Sequence, residues 1–429
     1  MVDRPNILYV FTDQQSSCAM SCAGNVDIDT PAMDSIAQTG VLFENAYCAQ
    51  PLCGPSRCSI MTGFMPHETS VDANGSGIPE SLHLQSMGPL FESAGYECVY
   101  GGKWHLPGKW LEEGHGFRPV AGFGDHDLAS DCIEFLKQRH EKPFLLVVSF
   151  DNPHNIFEWA LDVDLPWGAI PDVPTEECPN LPPNFAIPAF EPGAIRVEQA
   201  AQPVLFPGRQ FTEEQWRHYR HAYYRLVEKA DAGVGRILRV LQDGGLLDDT
   251  LIIFTSDHGD GNGAHHWHQK QVLYEESIRI PFIVSFKGVT KAAHVDRVHV
   301  VSNGLDTIPT LCDYAGIDPP PGLRGRSIRP MAEGGESDEW FNECVIETKF
   351  LGGRGFGTRG RVLWTDRYKY TVYLWGPYRE QLIDMHEDPG EMVNLAVEAK
   401  YRNVLADHRD RLARWCDESK DDFVVPRSA

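Results

Sequence analysis

The sequence predicts an α/β chain: a large, mixed and mostly parallel sheet flanked by helices, followed by a smaller C-terminal antiparallel sheet with a packing helix. Three observations carry this expectation. Apolar runs at 6–11, 143–150 and 250–254 are unbroken, without the alternation of a half-exposed strand; such runs mark strands buried on both faces, as in parallel sheets. Helical signals separate the runs. Beyond about residue 330 the texture changes to short strand-like pieces (343–348, 361–365, 368–373, 381–385) with polar turns. The division is placed between a main domain at 1–335 and a C-terminal subdomain at 336–429.

Thr212, Glu213, Glu214 and Gln215 read as a capping box opening an amphipathic helix that runs to about Leu241 and stops at Gly244 and Gly245. Shorter helices are expected at 32–38, closed by Gly40, and at 86–94, closed by Gly95. A terminal helix is expected from about Lys400 to Cys416. Pro55 sits where a helix can begin, because a first-turn position needs no amide hydrogen. Residues 156–208 are rich in proline and lack periodicity, so they read as a long irregular excursion, and long excursions often wall a site.

With 429 residues, 42% hydrophobic and 23% charged, the chain has the composition of an ordinary globular protein. A net charge of −23 excludes a nucleic-acid partner of the usual basic kind. No apolar run is long enough to span a bilayer, so no membrane partner is expected. The start shows no signal-peptide core, which places the chain in the cytoplasm, or in the periplasm if a leader has been removed. Eleven cysteines without regular spacing are not a disulfide framework. The oligomeric state is not legible.

Each apolar run ends in polar residues. The first leads to Asp13 and Gln14, the second to Asp151, Asn152 and His154, the third to Asp257, His258 and Asp260. Ligands of open α/β sheets bind beyond the carboxyl ends of the strands, so these groups are expected on one edge. Asp13, Gln14, Asp257 and His258 together form a candidate divalent-cation site. Its oxygen donors suit calcium or magnesium, and its imidazole leaves manganese open. Lys103 and His105 stand two apart in Gly-Lys-Trp-His, hence on one face of an extended segment. Lys270 follows three histidines at 265, 266 and 268, whose spacing lacks a zinc pattern. Cys53 heads Cys-Gly-Pro-Ser-Arg, a cysteine two residues before a proline and four before Arg57, at the positive end of the expected helix. No G-x-S-x-G elbow and no phosphate-binding glycine loop is present.

Taken in order, these motifs resemble the sulfatase family of the alkaline phosphatase superfamily nearly end to end. In that family the cysteine of C-x-P-x-R is oxidised to formylglycine by a formylglycine-generating enzyme. The resemblance implies an alkaline-phosphatase-like fold and hydrolysis of a sulfate monoester of a small molecule or saccharide. Formylglycine 53 would be the nucleophile, beside one divalent cation, calcium by preference, held by Asp13, Gln14, Asp257, His258 and position 53. Lys103, His154 and Lys270 are expected around the sulfuryl group, and Arg57 and His105 at the nucleophile. Specificity is expected from 156–208, from His266 and His268 as substrate contacts, and from the C-terminal subdomain. Asp13-Gln14 and Asp257-His258 depart from the lysosomal pattern of consecutive aspartates and Asp-Asn. They keep a second reading open, a phosphonate monoester or phosphodiester hydrolase on the same scaffold. A non-catalytic binder of anionic glycans is the remaining alternative.

Overall fold

The computed structural model describes residues 4–107, 114–337, 340, 342–352 and 357–426. Its main sheet has eight strands: β1 (Asn6–Asp13), β2 (Val41–Tyr47), β3 (Glu97–Gly102), β4 (Arg118–Ala121), β5 (Phe144–Pro153), β6 (Thr250–Ser256), β7 (Phe282–Ser285) and β8 (His294–Ser302). Their order is β4-β3-β5-β1-β6-β7-β2-β8. Only β7 runs antiparallel to its neighbours. The three apolar runs are β5, β1 and β6, adjacent at the centre, with β1 parallel to both. Their residues alternate between two cores. Ile7, Tyr9 and Phe11 enter one, and Leu8 and Val10 the other, which is why neither face needs polar positions.

The helix Glu213–Asp243 covers the second face and opens with the expected reciprocal cap: Gln215 N–H donates to Thr212 Oγ1 at 3.2 Å, and Thr212 N–H to Gln215 Oε1 at 2.9 Å. Helices Pro31–Thr39 and Met87–Ser93 lie where the sequence places them. Two differences stand out. The helix carrying Pro55 begins earlier, at Cys53, and runs to Thr62; Pro55 is still within the first turn, where N–H groups have no intrahelical acceptor. The stretch 156–208 is not wholly irregular, since it contains helices Ile156–Ala160 and Gly193–Ala201. Helix formers such as Ala194, Arg196, Glu198 and Gln199 lie between prolines that bracket the second of these rather than interrupt it.

The C-terminal sheet is an antiparallel meander of β9 (Cys344–Phe350), β10 (Thr358–Trp364), β11 (Tyr368–Tyr373) and β12 (Glu380–Asp384). Helix Arg402–Ser419 packs Leu405, Leu412 and Cys416 on Val345, Leu363 and Val372 of one face. The other face sends Ile346, Phe350, Val362, Trp364 and Tyr373 into the first core of the main sheet. All eleven cysteines are free thiols. Among the described residues no helix is long and apolar enough to cross a membrane.

Candidate active site

β1 and β6 stop at the same level. Thr12 pairs with Ser256, so Asp13 and Asp257, one step further, emerge side by side. The turn after β1 is tight: Gln14 has φ of 76°, a left-handed conformation that side chains rarely adopt. It is held by Gln14 N–H donating to Asp257 Oδ1 at 3.1 Å and by the Tyr223 hydroxyl donating to Gln14 O at 2.8 Å. The amide of Gln14 is fixed at both ends. Nε2 donates to Asp260 Oδ2 at 2.7 Å, and Oε1 accepts from Lys270 Nζ at 2.9 Å.

Cys53, fully buried, is the first residue of its helix. Its thiol donates to Asp13 Oδ1 at 3.5 Å and lies 3.3 Å from His258 Nε2, while Lys270 Nζ donates to it at 3.0 Å. In the same turn Gly54 N–H donates to Asn74 Oδ1 at 2.8 Å. Arg57, one helical turn on, is also fully buried. Nε donates to Asp257 Oδ2 at 2.8 Å, Nη2 to Asp13 Oδ2 at 2.9 Å, and Nη1 to Lys103 O at 2.6 Å and Ser149 Oγ at 2.9 Å. Its fork grips the two carboxylates. Arg57, expected at the nucleophile, makes its side-chain ion pairs with Asp13 and Asp257.

Lys103 reaches the site because Gly102 turns the chain. Gly102 has φ of 95°, and a Cβ there would stand 2.0 Å from Ser149 O, so only glycine fits. Lys103 Nζ then lies 2.9 Å from both Asp13 Oδ2 and Asp151 Oδ1. The other oxygen of Asp151 accepts from Trp167 Nε1 at 2.9 Å.

Burial pushes the Asp13 carboxyl up, but Lys103, His154, Arg57 and Lys270 outweigh it and hold Asp13 well below the usual range. Burial and the adjacent Asp13 charge raise Asp257 against the pull of His258 and Arg57. Burial and Asp13 likewise work against ionisation of the Cys53 thiol, yet Lys270, His258 and Lys103 bring it well below its ordinary value. The position thus favours an anion. Asp13, Cys53, Asp257 and His258, all fully buried, each bring one donor atom to within 4.8 Å of the others. Two carboxylates, an imidazole and the Gln14 amide oxygen beside them are a donor set that fits a divalent cation, and such a cation relieves the crowding that raises Asp257.

A cavity of about 210 Å³ opens beside this cluster. Its polar lining includes His154, Gln269 and Lys270, and its apolar walls are Leu52, Phe157, Leu205, Phe206 and Leu351. His105 is exposed and makes no hydrogen bond or ion pair among the described residues. His266 is half-buried against Phe185, with ring centroids 4.1 Å apart. His268 is fully buried; its Nε2 accepts from Gly208 N–H at 2.8 Å, and burial lowers its pKa to about 3. Neither His266 nor His268 lines the cavity, so the expected substrate contact by His268 is corrected: it is packed among Phe211, Trp216 and Tyr219. Sequence reasoning placed Asp151 and Asp260 at the strand ends without giving them a role, and it left out Asn74, which carries no signal in the sequence.

A family model described as Sulfatase matches residues 5–317, and one described as N-sulphoglucosamine sulphohydrolase, C-terminal, matches residues 263–418. The chain belongs to the sulfatase family. It is 31% identical to a Delta 4,5-hexuronate-2-O-sulfatase of Bacteroides thetaiotaomicron over 98% of this chain and 90% of that protein. The solved structure of a 2-O GAG sulfatase superposes with a TM-score of 0.86 at 29% identity, covering 99% of this chain and 95% of the other. The phosphonate monoester hydrolase of Agrobacterium radiobacter superposes with a TM-score of 0.79 at 23% identity over 97% and 96% of the two chains, which shows the shared fold alone. This sulfatase is an enzyme of the alkaline-phosphatase-like fold that hydrolyses sulfate monoesters. Members of its family use a metal ion and formylglycine.

Proposed function

We propose that the chain removes sulfate from a sulfated saccharide, with a formylglycine made from Cys53 by a formylglycine-generating enzyme and a single divalent cation, calcium by preference. One observation carries this reading: Cys53 lies at the buried start of a helix within hydrogen-bonding reach of Asp13, His258 and Lys270. The saccharide is supported by the relatives' substrates and by a cavity that sets apolar walls beside amide and cationic groups, the mixed lining a sugar needs.

The hydrated aldehyde supplies one hydroxyl to attack sulfur and a second whose deprotonation expels sulfate and restores the aldehyde. Asp13, Gln14, Asp257, His258 and position 53 would hold the cation, which would supply Lewis acidity and positive charge there. The chain's own residues do the positioning. Lys103 and Lys270 flank position 53 from two sides and bind the sulfuryl oxygens. A loose, charge-spread transition state gains mainly from such fixed charges. His154, on the cavity side, is placed to protonate the leaving sugar oxygen. Arg57 keeps Asp13 and Asp257 oriented, and Asp260 keeps Gln14 oriented with its oxygen toward Lys270.

The experiment is a mass measurement of the peptide containing position 53, paired with turnover of an aryl sulfate. Active protein should show CH2SH replaced by CHO at that residue, and Cys53→Ala should abolish turnover. Active protein carrying only thiol at position 53 would refute the reading.

A further inference from the structure

Asp151, which pairs with Lys103, and His154, which lines the cavity beside Cys53, both stand at the end of β5. Regular pairing gives out there. The ladder with β3 stops at Ser149, and the register with β1 shifts before Pro153. The N–H groups of Asp151 and Asn152 go instead to one side chain. Asp125 Oδ1 accepts from Asp151 N–H at 2.7 Å, and Asp125 Oδ2 from Asn152 N–H at 2.8 Å. The two oxygens of a single carboxylate thus hold two consecutive peptide units, which fixes the chain in rotation as well as in position. His154 follows directly, its N–H donating to Asp151 O at 2.9 Å.

Asp125 can serve in this way because its own mounting is rigid. It is the first residue of helix Asp125–Leu136, which buries Leu128, Ala129, Cys132 and Phe135 in the second core. Ser130 Oγ of this helix accepts from Arg236 Nη2 of the long helix at 2.7 Å. Gly124, just before the helix, has φ of 119°, and a Cβ there would stand 2.5 Å from the Trp167 ring. That indole is the one that donates to Asp151 Oδ2. The backbone of Asp151 is therefore held by the helix, and its carboxylate by the indole packed on the start of the same helix.

Burial raises the Asp125 carboxyl from 3.8 to about 6 against the pull of the two amides; Asp151 adds to the rise and Lys103 opposes it. The other charged groups on the surrounding elements are exposed or occupied. His126 and Asp127 of the same helix are exposed, and Lys229 of the long helix donates to the carbonyls of Trp167, Gly168 and Ala169. Ionised, the Asp125 carboxylate accepts from both amides. Protonated, one of its oxygens becomes a hydroxyl donor facing an N–H, and one of the two holds is lost.

We propose that Asp125 is a positioning residue for the sulfatase reaction: its carboxylate fixes the end of β5 so that Lys103, through Asp151, and His154 meet the sulfate ester, and turnover slows when that carboxylate is lost to protonation or mutation. The inference rests on the roles proposed above for Lys103 and His154 and adds what keeps both in place.

The test follows kcat and KM on an aryl sulfate between about pH 5 and pH 8 for the parent and for Asp125→Asn, which keeps the shape but turns an amide donor toward one of the N–H groups. At the alkaline end the variant's kcat should be lower by about tenfold, within the up to about hundredfold cost of misplacing a catalytic group by about 1 Å, with a smaller change in KM. As pH falls through about 6 the parent loses the same contact, so the ratio of parent to variant kcat should fall toward one. A merely structural cap would lower the unfolding midpoint and leave the ratio the same at every pH. Such a flat ratio, or a variant that does not fold, would overturn the proposal. Lys103→Met and His154→Ala separate this outcome from failure of the roles beneath it. If both keep the parent's rate, those roles fall and the proposal with them; if both lose turnover while the ratio stays flat, only the placement by Asp125 falls.

Discussion

Lys103 extends its ammonium between Asp13 and Asp151, 2.9 Å from an oxygen of each. Asp13 is a ligand in the cation site proposed above, which leaves Asp151 as the partner free to act as a support. Its backbone N–H donates to Asp125 Oδ1 at 2.7 Å, and its second carboxylate oxygen accepts from Trp167. We propose that Asp151 is a positioning residue that holds Lys103 where the sulfuryl group would arrive. Asp151→Asn keeps the size and weakens the anchor. Misplacing a catalytic group by about 1 Å costs up to about a hundredfold in rate. The expected outcome is a kcat lower by about tenfold or more, a smaller change in KM, and an unfolding midpoint close to the parent's. A fall in midpoint with kcat preserved would show that Asp151 is merely structural.

At the scale of elements, helices are fastened to one another by buried carboxylates. Asp231, in helix Glu213–Asp243, accepts from Ala32 N–H at 3.1 Å and Met33 N–H at 2.9 Å, the open first turn of helix Pro31–Thr39. No side chain within the short helix does this, so Asp231→Ala leaves two donors orphaned. The expected loss is about 1–3 kcal/mol in chemical denaturation. Burial raises the Asp231 pKa from 3.8 to about 6, against the pull of the Met33 and Ala32 amides. A raised folded-state pKa means that the folded chain binds the extra proton. The charge-linked part of the contribution is therefore complete below about 4 and is lost as pH rises through about 6. The stability gap between parent and Asp231→Ala should accordingly narrow between pH 4 and pH 7, and a gap that widens would contradict the assignment. This fastening also shows what sequence conveys at this scale. The helices and the three central strands were legible because each carries its own period or unbroken apolar run. The strand ends drew attention to Asp13 and Asp257, and the short motifs around them to Cys53 and the two lysines, which the structure brings close together. The Asp231 cap, the Trp167 brace on Asp151 and the Asn74 contact were not, because each joins two separate segments through a single polar side chain, which no local period records. His268 misled for the same reason: a histidine run reads as polar, but Phe211, Trp216 and Tyr219 enclose this one.

On the scale of the whole molecule, the chain passes from the eight-stranded sheet to the four-stranded one between β8 and β9, and we propose that the parts on either side fold as one unit. The lock is ionic as well as apolar. Lys369 on β11, fully buried, lies 3.0 Å from Glu275 Oε1 and 2.7 Å from Glu391 Oε1. Glu391 Oε2 in turn accepts from Glu275 N–H at 2.7 Å. Glu275 stands five residues beyond Lys270, so the ammonium of the small sheet anchors the segment that brings Lys270 to Cys53. Burial raises Glu391 to about 8 despite Lys369, with Glu275 and Glu276 adding to the rise; without Lys369 two carboxylates would face each other with no cation between them. Removing one partner of a buried ion cluster costs about 3–5 kcal/mol. Lys369→Met should lower the urea midpoint by that order and lower kcat with it, within a single unfolding transition that includes both sheets. Adding Glu391→Gln should recover part of the stability, because it removes one of the unpaired charges. Two separate transitions in the parent, or a Lys369→Met midpoint equal to the parent's, would show that the C-terminal sheet is joined by its apolar face alone.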